Sequence, residues 1–253
     1  MPPPAPAHAL DALRAHLGQS EREHCGGGEH LPFGLPQIDA RLPGGGLAMG
    51  TLHEVAGNGG GAVDGAAAAL FAAGIAARTS GPVLWCLVRH DLFAPALSQA
   101  GLDPDRVIFV EAGDEKAVLA SFEEGLRHAG VGGVVGEVAK LTMTASRRLQ
   151  LAAETSGAIG IAIRRWRRAE EAKAFDQPTA ARTRWRVAAL PSSPLPALGV
   201  GRPRWRLELV RCRSGESGVF EVEACDEKGR LALPADLAHR PAAAADGPLR
   251  AVA

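Results

Sequence analysis

The sequence predicts an α/β fold in which a mostly parallel sheet carries helices on both faces and gains an antiparallel extension on its C-terminal side. Three observations predict it. Between residues 51 and 163, short apolar and β-branched runs alternate with helical stretches. The first of those runs passes through a glycine-rich loop into a long alanine-rich helix. Beyond Arg164 the alternation stops, and apolar residues recur at every second position. Parallel strands are buried on both faces and read as continuous apolar runs, whereas strands with one wet face alternate.

In chain order, Leu10, Leu13 and Leu17 lie at i, i+3 and i+7, one apolar stripe on a short helix over residues 9–17. A helix of that length is marginal alone in water, so it packs on its own core or on a partner. His24, Cys25 and His30 cluster beside Gly26, Gly27 and Gly28, a set that could hold a metal. No second ligand cluster stands at zinc-like spacing, and residues 25–29 read as a linker. Strands follow at 51–56, 83–88, 107–110, 134–138 and 158–163, with helices at 63–78, 92–100, 115–129 and 144–156. Residues 184–189, 204–213 and 219–223 then read as strands that extend the sheet in antiparallel fashion. The organisation expected is a helix and linker over 1–30, a core over 31–240 and an alanine-rich disordered tail over 241–253.

With 253 residues and 46% hydrophobic content, the chain can bury one substantial core with little beyond it. The start is proline-rich and then amphipathic, which does not suit a secretory signal. The longest apolar stretch, residues 66–77, is rich in alanine and glycine and shorter than the roughly 20 residues a membrane span needs. A soluble, cytoplasmic protein without membrane contact is expected. Four cysteines with no Cys-x-x-Cys pair do not suggest a disulfide framework. Charge is balanced at 28 basic and 28 acidic residues, yet residues 164–213 hold thirteen Arg or Lys against four Asp or Glu. Only four residues in the whole chain are lysine.

A glycine loop between a strand and a helix is where a nucleotide phosphate is usually held. Backbone N–H groups and the helix N-terminus face the anion, and a loop lysine adds a point charge. The pattern for that task is G-x-x-x-x-G-K-[ST]. Starting at Gly57 the chain instead offers Ala62 at the second glycine, Val63 at the lysine and Asp64 at the magnesium-ligating hydroxyl. The first lysine in the chain is Lys116, so none nearby can substitute. The loop therefore reads first as a tight strand-to-helix turn, with a weak anion site on its glycine backbone as the alternative.

The residues before this loop carry a resemblance. Phe33-Gly-Leu-Pro-Gln-Ile-Asp39, then Leu42-Pro-Gly-Gly-Gly-Leu-Ala-Met-Gly50 and Thr51-Leu-His-Glu-Val55, resemble the lead into the phosphate loop of RecA-type recombinases. The nearest likeness is to the ImuA family, sometimes labelled SulA-like, whose members are small, RecA-like and degraded in their nucleotide motifs. Arg-Trp-Arg units and Arg211-Cys-Arg213 extend the likeness to about residue 233. On the recombinase pattern, the water-orienting carboxylate falls at His90 and the magnesium-facing aspartate at Gly136. Asp91 and Glu137 are each one residue off, and a one-residue slip on a strand turns a side chain to the other face. Clamp, metal ligand and base would all be lost, which argues against ATP hydrolysis and against any bound cofactor.

The basic segment contains Arg165-Trp166-Arg167, Arg184-Trp185-Arg186 and Arg204-Trp205-Arg206. One reading is a nucleic-acid surface, with Arg164, Arg165, Arg167, Arg168, Arg182 and Arg184 on phosphates and Trp166 stacking on unpaired bases. The other is a core reading. Trp205 shares a strand face with Leu207 and Leu209, and Trp185 with Val187, which buries both rings. A third is a basic surface for an acidic protein partner. The resemblance implies a non-enzymatic accessory factor in damage-induced mutagenesis. It would bridge a RecA filament, an ImuB-type polymerase relative and an error-prone replicative polymerase, with single-stranded DNA as a further contact. Leu10, Leu13 and Leu17 are the candidate attachment surface. Two alternatives stand beside it, an ATP-dependent RecA-like recombinase or helicase-loader ATPase and a SulA-like inhibitor of a cell-division polymer.

Overall fold

A computed structural model describes residues 28–59, 61–166, 169–192 and 199–234. The Leu10/Leu13/Leu17 stripe and the tail at 241–253 lie outside the described residues. The chain opens with β1 (His30–Leu31), the short α1 (Pro36–Asp39) and β2 (Leu47–Ala48), and β1 pairs antiparallel with β2. Asp39 holds this lead-in together, its carboxylate accepting the N–H groups of Phe33 and Gly34 at 2.7 and 2.9 Å. Next come β3 (Leu52–Gly57), α2 (Ala62–Ala77), β4 (Val83–Leu87), α3 (Ala94–Gln99), β5 (Val107–Glu111) and α4 (Glu115–Arg127). They are followed by β6 (Gly133–Val138), α5 (Met143–Ser156), β7 (Ile159–Arg164), α6 (Ala169–Ala172), β8 (Thr183–Leu190), β9 (Arg204–Cys212) and β10 (Gly218–Glu223).

Eight of these strands form one sheet in the order β10-β9-β8-β3-β7-β6-β4-β5. The alternating region yields the five expected parallel strands. The extension differs from expectation in one strand. β9 and β10 are antiparallel, but β8 runs parallel to β3. The segment after β7, with α6 and a 3₁₀ turn over Lys173–Asp176, carries the chain back to the start of β3 before β8 begins. A return of that length is what a parallel neighbour requires.

Each face of the sheet has its own core. On one, α2 packs Phe71 and Ile75 against Val55, Trp85, Val135 and Ile163. From Ala67 to Ala76 that helix is almost wholly buried and apolar on every side, and its alanines let it approach the sheet closely. Phe71 stacks on Phe33 at 5.8 Å and meets Trp185 and Trp205 edge-on at 5.7 and 6.3 Å. Both tryptophans are buried, as their strand faces predict. On the other face, α4 and α5 pack Phe122, Leu126 and Leu149 against Leu52, Val134, Val138 and Ala162. Side-chain caps start both helices: Asp114 accepts from Ala117 N, and Thr142 from Ala145 N. Gly157 ends α5 in the left-handed region at φ 79°, where glycine carries no Cβ penalty.

Candidate functional site at the glycine loop

In open α/β sheets, ligand sites lie beyond the C-terminal ends of the strands. Here the ends of β3, β4 and β7 bring together the glycine loop, Asp91, Arg165 and Trp166 around a cavity of about 380 Å³. Gly57 is required by contact. A Cβ there would stand 2.9 Å from the backbone carbon of Asp64, so the loop can fold onto the start of α2 only without one. Val63, at the lysine position, is 69% exposed. Asp64 does not face the loop: its carboxylate accepts the Ala189 N–H at 2.9 Å and ties α2 to β8. Ala62 is exposed at the helix start.

The acidic positions require two corrections. Gly136 is not the residue that faces the glycine-loop side. A Cβ on it would run into the Phe122 ring, on the α4 face. Its neighbour Glu137 points the other way, accepting from Trp85 Nε1 at 2.9 Å in the layer beneath α2. The acid is one residue later than the recombinase pattern suggests, and the two-residue period of a strand puts it on the working face. His90 likewise is not at the water-orienting position. Its ring packs on Phe109 at 4.6 Å, and the carboxylate that lines the cavity is Asp91. β4 ends at Leu87, so strand alternation does not govern Asp91.

Both carboxylates are already engaged. Arg165 donates to Asp91 through Nη1 and Nη2 at 2.7 and 2.9 Å and to Glu137 through Nη1 at 2.7 Å. The guanidinium beside Asp91 holds its carboxyl below the usual carboxylate range. The same pairing raises Arg165, with the Asp91 hydrogen bond as the largest cause. A carboxylate so held is a weak base, because a proton or cation must first displace the arginine.

The basic residues separate into two groups. Arg164 and Arg184 were expected at an exposed nucleic-acid surface, but both are buried. Arg164 Nη1 meets Glu54 Oε1 at 2.6 Å, and Arg184 Nε meets Glu54 Oε2 at 2.8 Å, with the Thr179 hydroxyl donating to Oε2 at 2.8 Å. Register explains this: Glu54 lies opposite Arg184 on β8 and Ala162 on β7, and Arg164 is two residues beyond Ala162 on the same face. A buried glutamate in a central strand needs cationic partners, and Glu54 inside a predicted central strand was the sequence signal for them. Trp166, expected to be exposed, is half-buried. Its Nε1 donates to Gly59 O at 2.9 Å and its ring meets Phe175 edge-on, so it pins the glycine loop. Arg182 is half-buried with Nη2 unpaired among the described residues. Arg167 and Arg168 lie outside the described residues.

Among the described residues, no group of three or more His, Cys, Asp or Glu could hold a metal ion. Burial pushes the Cys86, Cys212 and Cys225 thiols up to about 12, 11 and 12, which leaves them protonated and unreactive at neutral pH. No described helix is long and apolar enough to cross a membrane.

The fold belongs to the RecA-like class. The crystal structure of the RadB recombinase matches 80% of this chain and 98% of its own, with a TM-score of 0.55 and 17% sequence identity. No family model matches the sequence. Among curated proteins, Protein ImuA of Caulobacter vibrioides is 42% identical over 204 residues, in strain NA1000 / CB15N and in strain ATCC 19089 / CIP 103742 / CB 15 alike. Those matches cover 77% of this chain and 83% of each relative. The chain belongs to the ImuA family.

Proposed function

We propose that the protein is a non-hydrolysing, RecA-like accessory factor in damage-induced mutagenesis. It acts in the cytoplasm by holding other proteins together at damaged DNA. The observation that carries the reading is Arg165 locked between Asp91 and Glu137 beside a loop whose lysine position is Val63. These residues do not fit a magnesium–nucleoside triphosphate. The phosphate clamp is absent from the sequence, and the two acids a cation would need are neutralised by a side chain of the same protein. Family membership supports the mutagenesis role. The RecA filament, the ImuB-type polymerase relative and the error-prone replicative polymerase are the partners proposed, with single-stranded DNA as a further contact.

A second reading, an ATP-dependent RecA-like ATPase, is favoured by one observation: two carboxylates do reach the loop side. It requires Arg165 to leave both. The purified full-length protein, with and without oligodeoxythymidine, should release no phosphate from ATP above a no-enzyme control. Turnover abolished by Asp91→Asn would overturn the non-hydrolysing reading. In the parent organism, deletion of the gene should abolish damage-induced mutation, and the Asp91→Asn allele should restore it. A deletion that leaves induced mutation unchanged removes the mutagenesis role.

A further inference from the structure

The exposed side of α5 combines features that the glycine-loop site does not use. Leu151 is 62% exposed and separates two shallow grooves. The first, of about 400 Å³, is lined by Arg147, Arg211 and Arg213 together with Met143. The second, of about 520 Å³, is lined by Arg127 and Arg148 together with Glu123. Among the described residues, Glu123 is the one carboxylate in the two linings, and it is buried and paired with both arginines of its groove.

Arg211 reaches this face through an irregularity in pairing. Arg184 lies opposite Arg211, but the next residue, Trp185, lies opposite Leu209, leaving Val210 unmatched. Leu209 is in the core beneath α2, and without the bulge Arg211 would share its face. Bulges re-aim side chains in this way and recur beside functional sites.

We propose that this face of α5 docks an acidic peptide segment of a partner protein. An apolar anchor in that segment seats on Leu151, and its flanking carboxylates meet Arg147, Arg211 and Arg148. An apolar centre ringed by arginines matches the anatomy of protein interfaces, where arginine is enriched and carries much of the binding. Guanidinium groups also pair with carboxylates in bidentate geometry. A nucleic-acid backbone would answer the charge but would set nothing apolar against Leu151 and Met143. Among the described residues, neither groove is lined by an aromatic ring on which a base could stack. The proposal does not depend on whether the glycine loop hydrolyses ATP.

The test uses the full-length protein and three fluorescein-labelled probes in anisotropy titrations: a short aspartate peptide with a central leucine pair, its twin with serines in place of the leucines, and an oligodeoxythymidine of equal charge. The leucine peptide should bind at least about tenfold more tightly than the other two. Arg147→Glu and Arg211→Glu should each weaken it about tenfold, and Leu151→Ser should bring the two peptides to the same affinity. All three side chains are exposed, and unchanged thermal melting of the variants confirms an intact fold. Equal binding of the two peptides by the native protein, or no binding of either, overturns the proposal. Tighter binding of the oligonucleotide overturns it in favour of a nucleic-acid surface.

Discussion

Glu54 is the residue that buries two arginines of the basic segment, Arg164 and Arg184. It lies in the middle of β3, wholly buried, and takes Arg164, Arg184 and the Thr179 hydroxyl onto its two oxygens. Removing one partner of a buried ion cluster strands the other charges in a poor dielectric. Glu54→Gln should therefore cost about 3–5 kcal/mol in urea unfolding. Arg41→Ala, which breaks the exposed pair with Glu216, should cost less than about 1 kcal/mol. Similar losses in the two variants would mean that Glu54 does not organise the site. At this scale the sequence was legible where one strand face decided the outcome and illegible where two strands had to meet. Trp185 and Trp205 follow from the alternation of their own strands. Arg164 and Arg184 do not, because their burial depends on the register of β7 and β8 against β3, which no single strand reveals.

At the level of elements, the glycine-loop strands show how a one-residue error propagates. Composition and alternation placed β6 correctly, within a residue at its start. Its orientation needed the layers above and below, Trp85 on one side and Phe122 on the other. Gly136→Asp separates the two orientations. With Gly136 facing α4, the new carboxylate would be driven into Phe122 with no partner, and stability should fall by more than about 3 kcal/mol. If position 136 faced the loop instead, the aspartate would be tolerated, and unfolding in magnesium would show added stability. Trp166 and Trp205 give a parallel contrast. Trp205→Ala empties a buried site between α2 and β9 and should cost about 3–5 kcal/mol. Trp166→Ala removes a half-buried ring and its bond to Gly59 O. It should cost clearly less and chiefly raise amide exchange in the glycine loop. Equal losses would place Trp166 in the core.

Across the whole molecule, the two ends of the sheet differ in kind. The C-terminal strand ends carry the glycine loop and its engaged acids, whereas the opposite end is closed by a neutral hydrogen-bonded knot around His53. This imidazole is fully buried, with Nδ1 2.7 Å from the Thr183 hydroxyl and Nε2 3.0 Å from both Ala48 O and the Thr51 hydroxyl. It thereby links β2, β3 and β8. Burial lowers its pKa from 6.5 to about 4, and nearby Arg182 acts in the same direction. The unfolded chain takes up this proton near 6.5 and the folded chain only near 4, so stability is complete above pH 6.5 and declines as pH falls toward 4. The full shift corresponds to roughly 3 kcal/mol. Between pH 6.5 and 5 ordinary carboxylates stay mostly ionised, so most of the loss in that window belongs to histidine. Urea midpoints of the native protein should fall steadily across it. His53→Gln should start from a lower midpoint at pH 7.5, because an amide fills the knot less well. Its midpoint should then stay nearly level down to pH 5. A variant that retains the native slope would transfer the pH dependence to another group and leave His53 as a packing residue only.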